Sequence, residues 1–270
     1  MSRPSGHAPL VWFTSLAIAG AGLVVAAAWR PPGFTSVQAN ALVDGALLLS
    51  VGIAISTLHL GRWWRAPLAV RGIGRSPLSG EVVLASAVLA SCLLLWTEYR
   101  HGRVEIIGRA AAAIVSIAFL VSIGLVYRLG GQRTWRGAAT LLPLTAGLVF
   151  GEVYLSAAGG GFDAAPIVPI CIVGADAAVY LIRWWGIARV SERGRTGARA
   201  RWTVNGATAV RLILFDVAPL ARLALGAADP ARVAVMVGLA FDRFTFYALA
   251  NQHTTEAEIT RVEGIIQRGA

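Results

Sequence analysis

Ser56-Thr-Leu-His59-Leu-Gly-Arg62-Trp-Trp-Arg65-Ala-Pro67, running on to Ser76-Pro-Leu-Ser79-Gly-Glu81, is the stretch whose reading decides the fold. An apolar run, Ala41 to Leu58, leads into it, and a second, Val82 to Trp96, leads out. Each run approaches the roughly 20 mainly apolar residues that a helix needs to cross a bilayer. The stretch is therefore a loop between two membrane-spanning helices. A histidine stands where the chain leaves the bilayer and a glutamate where it re-enters. Between them lie Arg62, Arg65, Arg71 and Arg75, with Trp63 and Trp64 interleaved.

Working outward, the same pattern repeats along the sequence. It is 56% hydrophobic and 14% charged, with a mean hydropathy of +0.66, which marks a polytopic membrane protein rather than a soluble globule. The expected fold class is all-α, a bundle of about eight transmembrane helices over residues 8–28, 40–60, 80–97, 106–128, 138–158, 165–185, 205–225 and 230–250. Pro31-Pro32-Gly33 closes the first span, and Pro230 after Asp229 opens the last. Gly159-Gly-Gly161 makes the fifth and sixth spans neighbours. Small residues such as Ala17, Ala19, Gly20 and Gly22 let helices approach closely in lipid. No internal repeat stands out, so the inverted-repeat mark of many transporters is missing. The first run lacks the charged leader of a cleavable signal peptide and should stay as a span.

All 24 basic residues are arginine, and the net charge is +10. In a soluble protein this would point to nucleic acid; here it reads as the positive-inside pattern, with no nucleic-acid partner. Loops 61–79, 129–137 and 186–204 carry most of the loop arginines and share one face of the membrane. That places both termini in the cytoplasm. Residues 1–250 form the bundle. Residues 251–270 form a polar tail, in which Thr255 and Glu258 make a capping box ahead of Ile259, Val262 and Ile266 on one helical face. A short amphipathic helix is expected there, on lipid or on a partner.

The chemistry-bearing residues each have a plain alternative. A histidine ordinarily titrates near working pH, so His59 could take a proton from a quinol hydroxyl; on residue type alone an interfacial histidine is the favoured reading. Glu81, just after Ser79 as N-cap, sits where a carboxylate favours the helix dipole, and a carboxylate at membrane depth could also relay a proton to water. Arg65 could clamp a quinone carbonyl or simply obey the charge rule. Within the spans lie Asp44, Arg109, Glu152, Asp176, Arg211, Asp216, Arg222, Asp242 and Arg243, which are costly in lipid and should face the bundle and pair. Glu105 and Arg109, at i,i+4, are expected to pair, and Arg211 to partner Asp176 or Asp216. A helix-locking ion pair is favoured over a proton path. Cys92 and Cys171 have no metal-ligand spacing and read as buried apolar residues. His7, His59, His101 and His253 all fall near ends or in loops, so no bis-histidine haem is expected in this protein, and two cysteines are too few for an iron–sulfur cluster.

The string Ser56, His59-Leu60-Gly61, Arg65-Ala66, Ser76, Leu78-Ser79 and Glu81 resembles the signature of membrane anchor subunits of dimethyl sulfoxide reductase-type complexes. The likeness extends to residues 7–14, to Val126-Tyr127 with Thr134-Trp135, and to 242–247. Trp63-Trp64 departs from it, standing where many relatives carry a proline near the arginine. The resemblance implies that His59 and Glu81 belong to a quinol (menaquinol) site, with Arg65 and Arg243 nearby. It also implies a prokaryotic cytoplasmic membrane, an iron–sulfur electron-transfer subunit as direct partner and a molybdopterin catalytic subunit beyond it. A subunit with no redox centre of its own would pass quinol electrons straight to the partner's cluster, or run the reverse reaction at the same site. Two other classes stay open: a small-solute transporter using Asp176, Arg211 and Asp216, and a purely structural anchor. The terminal substrate, the direction of electron flow and the quinone type are not written in this sequence.

Overall fold

A computed structural model describes residues 8–31, 35–59, 77–126, 140–158, 167–193, 198–227 and 229–247. The described residues are helical rods joined by turns. These are α1 (Ala8–Trp29), α2 (Thr35–His59), α3 (Pro77–His101), α4 (Ile106–Val126), α5 (Leu142–Ala158), α6 (Ile167–Arg193), α7 (Ala198–Arg211), a π-helical turn (Leu212–Val217) that runs straight into α8 (Ala218–Ala224), and α9 (229–247). With α7, the π-turn and α8 taken as one rod, each of the eight expected spans falls on a helix, and the all-α membrane bundle holds. Five of the helices, α1 to α4 and α6, are long and apolar enough to cross a bilayer. The others are shorter or more charged: α5 has 17 residues, and the last two rods carry the charges described below.

Boundaries follow local chemistry. Pro77 opens α3 and Pro230 lies in the first turn of α9, where a missing N–H costs nothing. Ser79 lies inside α3 rather than before it, so it is not the N-cap expected from the sequence. Gly102, at φ +66, closes α3 by sending its N–H to the carbonyl of Tyr99, while Arg103 N–H reaches Glu98. The π-turn has a cause in Pro219. That residue has no N–H for the carbonyl four residues back and its ring crowds it, so the helix widens and Ala218 N–H bonds to Ile213 instead.

Helix α1 sits in the middle. Its residues from Ala17 to Ala28 are almost all buried, because it is apolar on every side. It packs on α2, α5, α4 and α3. Gly20 lies against Gly45 of α2, and Gly22 against Gly147 and Gly151 of α5, so closely that a Cβ at Gly22 would overlap the Gly147 carbonyl. Lipid tails are as apolar as leucine, so this close fit, rather than hydrophobic burial, draws the helices together.

Successive helices run antiparallel. The end of α1 meets the end of α5 through Arg30 and Ser156, and the start of α1 meets the end of α9 through Val11, Phe246 and Tyr247. The bundle therefore has one end that gathers the start of α1, the end of α2, the start of α3 and the end of α9. Cys92 is buried as expected, but Cys171 is exposed on the outer face of α6, which corrects the expectation of two buried thiols.

Candidate functional site

Three polar groupings are set into this apolar body. The first lies where α2 ends and α3 begins. His59 is the last residue of α2. Arg65 and the loop 60–76 lie outside the described residues. Glu81, in the second turn of α3, is 5% exposed. Among the described residues no hydrogen bond or ion pair reaches its carboxyl. A buried acid that no described residue meets is costly to keep for packing alone.

The second grouping lies around Arg211, which is wholly buried. Its three nitrogens go to three aspartates on three elements. One Nη bonds Asp176 of α6, the other reaches Asp216 of the π-turn at 2.6 Å, and Nε reaches Asp242 of α9 at 3.3 Å. The guanidinium plane lies between the rings of Tyr180 at 4.3 Å and Phe215 at 4.6 Å. Asp176 also accepts from Thr145 Oγ1 of α5 at 2.5 Å. Asp242 accepts from Arg243, through Nε at 2.8 Å and through Nη2. Arg243 is thus drawn into this cluster, and no hydrogen bond or ion pair among the described residues joins it to Glu81. Arg183 lies over Phe246 at 4.7 Å. The sequence points Arg211 to one aspartate; it takes all three. Asp176, Tyr180 and Arg183 stand at i, i+4 and i+7 on α6, a spacing that puts them on one face and that could have revealed the site.

The third grouping closes the carboxyl end of α1. Arg30 pairs with Glu152 at 3.0 Å and bonds Ser156 at 2.5 Å. Tyr99 donates to the Ala27 carbonyl at 2.8 Å, and Gln38 to Ala27, Arg30 and Pro31. Arg109 donates to the carbonyls of Ala28, Trp29 and Arg30. The expected Glu105–Arg109 pair does not form among the described residues. The orphan carbonyls and negative dipole end of α1 are stronger attractors than a glutamate one turn away. Further along, Tyr154 of α5 donates to Asp44 of α2 at 2.6 Å.

Comparison with known proteins fixes what kind of protein this is. Residues 4–173 match the family model described as DMSO reductase anchor subunit (DmsC). The chain belongs to the DMSO reductase anchor subunit family. It is 28% identical over 204 residues to YnfH, an anaerobic dimethyl sulfoxide reductase chain of Escherichia coli (strain K12), covering 68% of this sequence and 69% of that one. It is 24% identical over 157 residues to an anaerobic dimethyl sulfoxide reductase chain of Haemophilus influenzae, covering 55% of this sequence and 56% of that one. It thus spans little more than half the length of the second relative. No solved structure matches. As a member of an anchor family with membrane-crossing helices, the protein is a multi-pass membrane subunit of a membrane-bound oxidoreductase complex. The family match holds the Glu81 corner and the α1 closure, and it ends before Asp176, so most of the Arg211 cluster lies beyond it.

Proposed function

We propose that this anchor subunit binds quinol, menaquinol in particular, at the corner formed by the end of α2 and the start of α3. There the quinol gives up two protons and two electrons. His59 and Glu81 accept the protons, and the electrons pass to an iron–sulfur subunit that feeds a molybdopterin catalytic subunit. The reverse reaction would use the same groups. The observation that carries the reading is Glu81, a buried carboxyl that no other described side chain occupies, at the bundle end where α2 delivers His59. A quinol hydroxyl supplies the hydrogen bond that no described residue gives, and the buried setting makes a proton acceptor out of reach of bulk water. Arg65 is proposed to hold the head group from the loop. Arg243 has less support, because Asp242 already engages it. The solute-carrier alternative is also less supported, because Asp176, Arg211 and Asp216 bond to one another.

The orientation belongs to the same proposal. Arginine-rich loops are retained in the cytoplasm, so the site, the iron–sulfur partner and both termini belong on that side. A reporter fused after Ala270 reads this: cytoplasmic signal is expected, and periplasmic phosphatase activity alone would overturn the sidedness.

The site itself is tested in the assembled complex with His59→Ala. Quinol-dependent turnover should fall at least about tenfold, the lower range for loss of a positioned proton acceptor. Turnover with an artificial donor that feeds the catalytic subunit directly should survive. Unchanged quinol turnover would remove His59 from the reaction.

A further inference from the structure

The Arg211 cluster holds a feature that a simple helix-locking ion pair does not need. Three carboxylates, Asp176, Asp216 and Asp242, are hydrogen-bonded to two guanidiniums among the described residues, those of Arg211 and Arg243. Arg183 faces the cluster from α6 but lies over the rings of Tyr180 and Phe246, and its Nε has no acceptor among the described residues. Five of the six carboxylate oxygens have a donor from Arg211, Arg243 or Thr145. The sixth, Asp216 Oδ1, is buried and has none among the described residues. Asp216 is itself 3% exposed, and a bare anionic oxygen in such a place costs several kcal/mol unless a cation or a proton meets it. The residue also sits in the π-helical turn, a local widening that often marks functional positions in helices.

We propose that Asp216 is a proton-binding site in the interior of the membrane, holding an exchangeable proton on Oδ1 while Oδ2 stays on Arg211. The ligand is a single proton. Binding it brings the directly bonded charges to balance, two carboxylates against two guanidiniums. Losing it leaves three carboxylates bonded to two guanidiniums, with Arg183 nearby as a third cation that lies over rings rather than on a carboxylate among the described residues. The groups facing it are Asp176 and Arg183 from α6, Thr145 from α5, Arg211 from α7, and Asp242 and Arg243 from α9. The proposal does not depend on quinol binding, because no hydrogen bond or ion pair among the described residues joins Glu81 to these groups.

The test uses the purified full-length subunit in its complex, in nanodiscs, by infrared spectroscopy on exchange from H2O to D2O. A protonated carboxylic-acid carbonyl band that shifts on exchange is expected. It should disappear in Asp216→Asn and persist in Glu81→Gln. Absence of the band from the wild type, or its persistence in Asp216→Asn, would overturn the proposal. Stability supplies a second measurement. Asparagine copies a protonated aspartate in shape and charge, so Asp216→Asn should assemble and melt within about 2 °C of the wild type. Asp242→Asn, which removes an anion that two arginines need, should lower the melting temperature by about 10 °C or prevent assembly. Equal losses in the two variants, including failure of both to assemble, would show Asp216 to be an ionised strut and overturn the proposal.

Discussion

Glu81 and the Arg211 cluster are both buried ionisable sites in one helical bundle, and they are built on opposite plans. Around Arg211 every guanidinium nitrogen has a carboxylate, contributed by two rods besides its own. Around Glu81 no bond comes from any described residue. Polar groups that bond each other hold helices together; a polar group left unbonded costs stability and is available to something that comes and goes. The difference separates a region that keeps the fold from the one proposed to take part in the quinol reaction.

The sharpest way to break this contrast is to remove the guanidinium at the centre of the cluster. Arg211→Leu leaves three buried carboxylates without their common cation and should cost about 3–5 kcal/mol, the range for breaking a buried pair. Loss of the assembled complex from membranes, read by quantitative immunoblot, is the expected outcome. Wild-type levels would show that the cluster does not hold the bundle. Next comes Arg30→Ala at the closure of α1, where the pair with Glu152 is part-exposed on the arginine side. A loss of about 1–2 kcal/mol is expected from the charged hydrogen bonds and the helix end they cover, measured as a drop in melting temperature in detergent. Tyr99→Phe, which removes one hydrogen bond to the Ala27 carbonyl, should cost about 1 kcal/mol in the same assay. Smallest of all in stability should be Glu81→Gln. No partner among the described residues is lost, so the melting temperature should stay within about 2 °C, while quinol-dependent turnover falls by at least about tenfold. If Glu81→Gln destabilises the subunit as much as Arg30→Ala does, the contrast between the two plans fails.

The number and place of the spans are legible because hydropathy and proline are local signals: Pro77 and Pro230 mark helix starts as they would in a peptide. The corner between α2 and α3 is legible for the same reason, since His59 and Glu81 bracket one loop. What stays hidden is set by distant partners. Nothing in the spacing of Glu105 and Arg109 shows that Arg109 leaves its neighbour for the carbonyls at the end of α1. The exposure of Cys171 depends on which face of α6 turns to lipid, and an apolar segment gives no hint of that. Asp242 becomes the third partner of Arg211 only because α9 packs against the π-turn, where Gly238 lets Phe215 approach its backbone. The apolar run offers no sign of where α5 begins: Thr140 and Leu141 belong to it by composition, yet the helix starts at Leu142.

The enclosure of α1 has a consequence for how the protein is made. Its close partner on α5, Gly147, lies about 125 residues downstream of Gly22. At ordinary rates of synthesis that interval is about 6–25 s. Through all of it the flank of α1 that will meet α5 must be bathed in lipid tails, and only later by protein. A mean hydropathy of 2.1 suits the first environment, and glycines at the contact suit the second. The helix is composed for two successive solvents. The same economy makes it vulnerable: a bulky residue at Gly22 would pass unnoticed during insertion and do its damage only when α5 arrived to find its seat taken.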